Sequence, residues 1–222
     1  MSEPICELLG VSKRYGGHPV VRDLNLTIQP GEMVAITGPS GSGKTTVLNM
    51  LGLLESPDHG AVRLFGAAAP RVRSKQANLL LRNRLAYLFQ NFALIDNATV
   101  EENLQIAQTY VSGSASQKAS QRRDVLRRVG LGAAAHMKPF ALSGGEQQRV
   151  AIARILLKPC DLVLADEPTG SLDATNRDAV IDMLRNLSRS GKTIVIVTHD
   201  PVVAESCTRV IALRSTHNPV PA

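Results

Sequence analysis

The chain of 222 residues contains no Trp, three Tyr and four Phe. Proteins that grip single-stranded nucleic acid stack bases on aromatic rings, and this chain has few to offer. No nucleic-acid partner is expected. Its three cysteines, Cys6, Cys160 and Cys207, are odd in number and widely spaced. That argues against a disulfide framework and for a reducing compartment, with the thiols acting as small buried apolar groups. No window approaches 18 uninterrupted apolar residues, so no membrane span is expected. The start, Met1-Ser2-Glu3-Pro4, lacks the basic segment of a secretory leader. The chain ends soon after its last apolar run, and no C-terminal regulatory domain is expected.

What the chain does have is ordinary globular composition, with 44% apolar and 20% charged residues. A packed core is therefore expected. Charge is uneven: 25 Lys and Arg stand against 19 Asp and Glu. The excess is local. Residues 71–84 carry Arg71, Arg73, Lys75, Arg82 and Arg84 with no acid, and residues 113–128 carry five basic side chains against Asp124 alone. Two readings stand: solvated helix faces, or surfaces turned toward anionic lipid or acidic loops of a membrane partner.

Short apolar runs at Met33–Thr37, Leu162–Ala165, Thr193–Val197 and Val210–Leu213 read as strands buried on both faces. Helical patterns separate them. Val47, Leu48, Leu51 and Leu54 share one face, and Val180, Ile181, Leu184 and Leu187 share another. This alternation predicts an α/β fold with a mostly parallel sheet. Leu24, Leu26 and Ile28 alternate strictly and 61–65 is another short strand, so antiparallel strands should flank the core. No strand pattern occurs over 92–158; helices are predicted at 101–111, 118–129 and 146–157, with 112–117 a flexible linker. One domain results: core and antiparallel strands over about 1–90 and 159–214, a helical insertion over about 91–158, and a tail at 215–222.

Gly38-Pro39-Ser40-Gly41-Ser42-Gly43-Lys44-Thr45-Thr46 follows a predicted strand and opens a predicted helix. That context makes G-x-x-x-x-G-K-[ST] a phosphate-binding loop. Its glycines let successive N–H groups point inward as an anion nest, and the helix N-terminus adds its dipole. Lys44 supplies charge toward the β- and γ-phosphates of a nucleotide, and the Thr45 hydroxyl can ligate Mg²⁺. Asp166 and Glu167 follow the buried run at 162–165. Neighbouring acids there are costly unless they bind metal or protons. Strand alternation separates them, so Asp166 is assigned to Mg²⁺ and Glu167 to the attacking water. Alone, such a pair serves equally well as a helix cap.

Leu142-Ser143-Gly144-Gly145-Glu146-Gln147-Gln148-Arg149 resembles the signature of ABC-type ATPases. Other family motifs follow in order. Gln90 looks like the Q-loop glutamine, which the resemblance places on Mg²⁺ and water. Ser171-Leu172-Asp173 looks like the D-loop, His199 like the switch histidine, and Tyr15 like the aromatic that stacks on adenine. On their own, Gln90, Tyr15 and His199 would be unremarkable; His18, His59, His136 and His217 read as surface. Ser143, Gly144, Gly145 and Glu146 at a helix start make a second anion site. The resemblance implies that a head-to-tail dimer uses it, with each ATP held between the phosphate loop of one copy and the signature of the other. It also implies a separate membrane permease and a peripheral position on the cytoplasmic membrane face. Gly52-Leu53-Leu54-Glu55 and Leu88–Ile95 resemble the macrolide and lipoprotein-release subgroup. Thr99-Val100-Glu101-Glu102-Asn103-Leu104 is most similar to lactococcin 972-type bacteriocin exporters. An ATPase of a non-translocating membrane complex, of cell-division or lipoprotein-release type, is the alternative. Lys44 and Ser143 lie too close in sequence for the long coiled coils of DNA-repair relatives, and the chain is too short for two such domains.

Overall fold

The computed structural model describes residues 3–214; the expected tail at 215–222 and His217 lie outside the described residues. The chain opens with β1 (Cys6–Tyr15), β2 (His18–Ile28), β3 (Met33–Thr37), α1 (Lys44–Leu51), β4 (His59–Leu64) and β5 (Ala67–Ala68). Next come α2 (Lys75–Asn83), β6 (Leu85–Leu88), α3 (Val100–Ala107), α4 (Ala115–Arg128) and α5 (Gly144–Leu157). It closes with β7 (Leu162–Asp166), α6 (Ala174–Arg189), β8 (Thr193–Val197), α7 (Pro201–Glu205) and β9 (Arg209–Ala212).

The main sheet has the order β6-β7-β8-β3-β9, with every neighbouring pair parallel. β3, β7 and β8 are buried almost throughout, as continuous apolar runs require when both faces are covered. Leu88 pairs with Ala165, Asp166 with Val197, and Ile36 with Val197, so the C-terminal strand ends lie level along one edge. β6 is too short to stand out from the sequence. It is docked by the Arg84 carbonyl, which accepts the N–H groups of Asp161 and Leu162.

The second sheet, β2-β1-β4-β5, is antiparallel. Leu26 and Ile28 are buried and Leu24 half-buried, so the alternating face does turn inward. One expectation fails beside it. Leu54 is exposed, because α1 stops at Leu51. The helix ends because Leu53 turns left-handed at φ 56°, its N–H bonding the Met50 carbonyl while the Leu54 N–H bonds the Asn49 carbonyl. At Gly52 an added Cβ would lie 2.9 Å from the Tyr87 ring, so the chain passes close to β6 there.

The helical insertion packs Val100 and Leu104 of α3, Val125 and Leu126 of α4, and Val150, Ala153 and Leu157 of α5 into its own cluster. α3 stops at Ala107, short of the expected 111. The expected linker at 112–117 is also shorter, since α4 begins at Ala115. The Ser114 hydroxyl accepts the Gln117 N–H while Gln117 accepts the Ser114 N–H, a capping box that starts the helix. The basic segments are not all spare charge. Arg84 pairs with Asp161 and covers the Phe65 ring, Arg82 covers the Tyr110 ring, and buried Arg122 pairs with Glu101 and Gln108. Cys6 and Cys160 are buried and Cys207 half-buried, all as free thiols. Burial pushes the Cys6 thiol up to about 12, which leaves it inert.

Leu104 is fully buried at the centre of the insertion's cluster. Leu104→Ala is expected to cost about 2–5 kcal/mol in chemical denaturation. A loss below about 1 kcal/mol would contradict this packing.

Candidate functional site

The phosphate loop is a tight wedge. Gly38, Gly41 and Gly43 hold positive φ of 147°, 77° and 87°. A Cβ on Gly38 would lie 2.6 Å from the Leu213 carbonyl and 2.7 Å from Ser42 Oγ. One on Gly43 would lie 2.8 Å from the Val20 carbonyl. Only glycine fits at either place. Ser40 and Gly41 are exposed at the tip; Ser42 and Thr46 are buried. Among the described residues the buried Ser42 hydroxyl has no hydrogen-bond partner. The Lys44 ammonium folds onto its own loop, donating to the Gly38 carbonyl at 2.8 Å and the Pro39 carbonyl at 3.0 Å. The Tyr15 hydroxyl donates to Glu55 and lies beside Thr46, which brings its exposed ring to α1.

Asp166 ends β7, and the Thr45 hydroxyl donates to its Oδ1 at 3.4 Å. Burial raises the Asp166 pKa, helped by the neighbouring Glu167 charge and opposed by Thr45 and Lys44. Glu167 is not a strand residue, so strand alternation does not explain how the two acids part. The strand stops at Asp166, and Glu167 turns into left-handed backbone at φ 45°. Such backbone costs a non-glycine residue about 1–3 kcal/mol, and it clusters at functional sites. Glu167 Oε1 lies 2.7 Å from His199 Nδ1, with Glu167 mostly buried and His199 largely exposed. Gln90 is exposed two residues beyond β6. Since β6 and β7 are in register, it leaves the sheet on the same edge as Asp166. Among the described residues its side chain makes no hydrogen bond.

The signature starts α5. Ser143 is its N-cap and forms a capping box with Glu146, whose pKa is lowered by the Ser143 N–H and hydroxyl. Gly144 and Gly145 are already helical, so they form the first turn rather than precede it. A Cβ on Gly145 would lie 2.3 Å from the Asn176 side chain. Asp173 caps α6 by accepting the Asn176 N–H at 2.9 Å, and Ser171 is exposed before it. Among the described residues no hydrogen bond joins the signature to the phosphate loop. Sequence reasoning missed two ties. Arg149 donates to Asn176 Oδ1 at 2.7 Å, joining the signature helix to the start of α6. Gln148 donates to the Pro168 carbonyl at 2.5 Å, joining it to the turn after Glu167. Gln148 was discoverable as a lone polar residue in line with Ala151, Ile152 and Ile155 on an apolar helix face.

Residues 21–170, which contain the phosphate loop, the signature and the acid pair, match the family model described as ABC transporter. The chain belongs to the ABC transporter ATPase family. It is 41% identical over 218 residues to the macrolide export ATP-binding/permease protein MacB of Pectobacterium atrosepticum, covering 96% of this chain and 34% of that protein. The chain thus spans about a third of the length of the curated relatives it matches. A dimeric structure of MJ0796, a bacterial ABC transporter cassette, superposes with TM-score 0.86 at 36% identity, covering 94% of each chain. A second, the post-hydrolysis dimer of that cassette bound to ADP and Pi, gives TM-score 0.85 at 34% identity over 96% of this chain and 97% of that one.

This ABC ATPase domain fits a Mg²⁺ ion at Thr45 and Asp166. Their hydroxyl and carboxylate oxygens are hard donors, few in number, which suits an ion that takes its remaining ligands from phosphate and water. The unpartnered Ser42 hydroxyl and the nest of loop N–H groups suit the anion such an ion accompanies. Gly38→Ala is expected to weaken nucleotide binding at least about tenfold, for about 1.4 kcal/mol or more of loop strain. Titration with a fluorescent nucleotide tests this, and unchanged affinity would contradict it.

Proposed function

We propose that this chain is the ATP-binding and ATP-hydrolysing subunit that powers a membrane permease for export. The observation that carries it is the Glu167–His199 pair standing on the same sheet edge as the phosphate loop and the Thr45–Asp166 oxygens. The loop N–H groups and Lys44 hold the β- and γ-phosphates. For this, Lys44 gives up the Gly38 and Pro39 carbonyls for phosphate oxygens of opposite charge. Tyr15 receives the adenine. Thr45, Asp166 and Gln90 would hold Mg²⁺, which when bound would supply charge neutralisation to the phosphates. Glu167 accepts the proton of the attacking water. His199 fixes the Glu167 carboxylate by their hydrogen bond and can donate to the γ-phosphate.

Ser143, Gly144, Gly145 and Glu146 serve the ATP of a second copy in a head-to-tail dimer, with Ser171 and Asp173 at the seam. Support comes from the dimeric cassettes of like fold. A permease partner at the cytoplasmic membrane face is supported by relatives named as combined ATP-binding/permease proteins. Among the described residues no helix is long and apolar enough to cross a membrane.

Macrolide-type export is the reading those relatives favour. Peptide export rests on the likeness of Thr99–Leu104 alone. In that run Thr99 and Glu102 cap α3, and buried Asn103 clamps the Ile95 N–H and carbonyl. The run therefore shapes the insertion. Association with a non-translocating membrane complex would use the same site, and co-purification of the permease separates the cases.

Glu167→Gln is expected to keep ATP affinity and lose about 10²–10⁴-fold in turnover. Lys44→Ala should lose ATP binding itself. Near-normal turnover in the first, or unchanged affinity in the second, would remove the assigned role.

A further inference from the structure

Two consecutive non-glycine residues just beyond Gln90 hold left-handed backbone, Phe92 at φ 61° and Ala93 at φ 46°. Side chains disfavour that region, so a further contact must hold the turn. Both carbonyls face one side chain. Arg154 of α5 donates from Nη1 to the Ala93 carbonyl at 2.6 Å and from Nη2 to the Phe92 carbonyl at 2.8 Å. This guanidinium is partly buried, burial pushes its pKa down, and no acid among the described residues offsets the cost. A desolvated charge spent on two carbonyls is an expensive way to hold an ordinary loop.

The turn also joins the two halves of the domain. Phe92 packs against the cluster between the main sheet, α5 and α6, and Leu94 against the cluster of the helical insertion. Phe92 Cζ lies 3.9 Å from where a Cβ on Gly144 would sit, at the start of the signature helix. Arg154 thus fastens the segment carrying Gln90 to the helix carrying Ser143.

We propose that Arg154 is a positioning residue for ATP hydrolysis: its two-pronged grip on the Phe92 and Ala93 carbonyls sets where Gln90 stands and makes it move with the signature helix. This rests on the reading of Gln90 as a residue that meets Mg²⁺ and water. The planar fork is essential, because two carbonyls are bound at once by two nitrogens of fixed spacing.

The test compares ATP affinity and steady-state turnover of the full chain for Arg154→Met, Gln90→Ala and the double variant. Arg154→Met should lower kcat about 10- to 100-fold, the scale of a misplaced catalytic group, with affinity changed less than about twofold. In the Gln90→Ala background it should cost nothing more, since both act through one group. Adding Ala93→Gly to Arg154→Met should restore part of the turnover, because glycine holds φ 46° without penalty. Full turnover in Arg154→Met, or an equal further loss in the double variant, overturns the proposal. Full turnover in Gln90→Ala overturns the reading of Gln90 and the proposal with it, a pattern distinct from failure at Arg154 alone. If Arg154→Met does not fold, Arg154→Lys carries the same comparison, keeping the charge and losing the fork.

Discussion

The site depends on one constraint: five strands run parallel and stop level. Parallel strands send all their C-terminal ends to one edge, and the sheet order places β7 and β3 on either side of β8. β3, β7 and β8 are covered on both faces, whereas β9, expected to be buried as well, is a largely exposed edge strand. The phosphate loop leaves β3, Asp166 and Glu167 leave β7, His199 follows β8, and Gln90 follows β6. No single turn could gather these groups. Register does, because Asp166 and Ile36 both pair with Val197. The glycines of the loop then let backbone N–H groups reach an anion at the place the sheet has chosen.

Much of this was legible in the sequence. Continuous apolar runs named β3, β7 and β8, and the glycine spacing named the phosphate loop. What local pattern alone decides was read well. What tertiary contact decides was read less well. β6 exists because the Arg84 carbonyl pairs it to β7, not because four residues declare a strand. Leu54 fits the spacing of α1, yet the left-handed turn at Leu53 ends the helix before it. Within the site, Asp166 and Glu167 were assigned separate tasks for the wrong geometric reason: the separation comes from a left-handed turn, which no side-chain pattern announces. The chain also carried a family likeness whose motifs are far more specific than its periodicity. The signature, Q-loop and D-loop residues were nameable by that likeness and not by physics.

α5 is the element that links nucleotide chemistry to the rest of the molecule. Its start presents Ser143, Gly144 and Gly145. Gln148 reaches the turn behind Glu167, Arg149 reaches Asn176 behind Asp173, and Arg154 grips the turn behind Gln90. One helix therefore touches the three segments that carry Glu167, Asp173 and Gln90. Its apolar faces belong to both the sheet cluster and the insertion cluster. Such a helix would pass a shift of any of these segments to the insertion, since close-packed interiors transmit displacement.

We propose that each chain carries halves of two different sites, each completed only by a second copy. Sedimentation velocity of Glu167→Gln with MgATP, with and without Ser143→Arg in the same chain, tests it most directly. The account predicts the mass of two chains for Glu167→Gln alone and of one chain when Ser143→Arg is added. A single-chain mass in both, or a dimer that ignores the signature change, would contradict it.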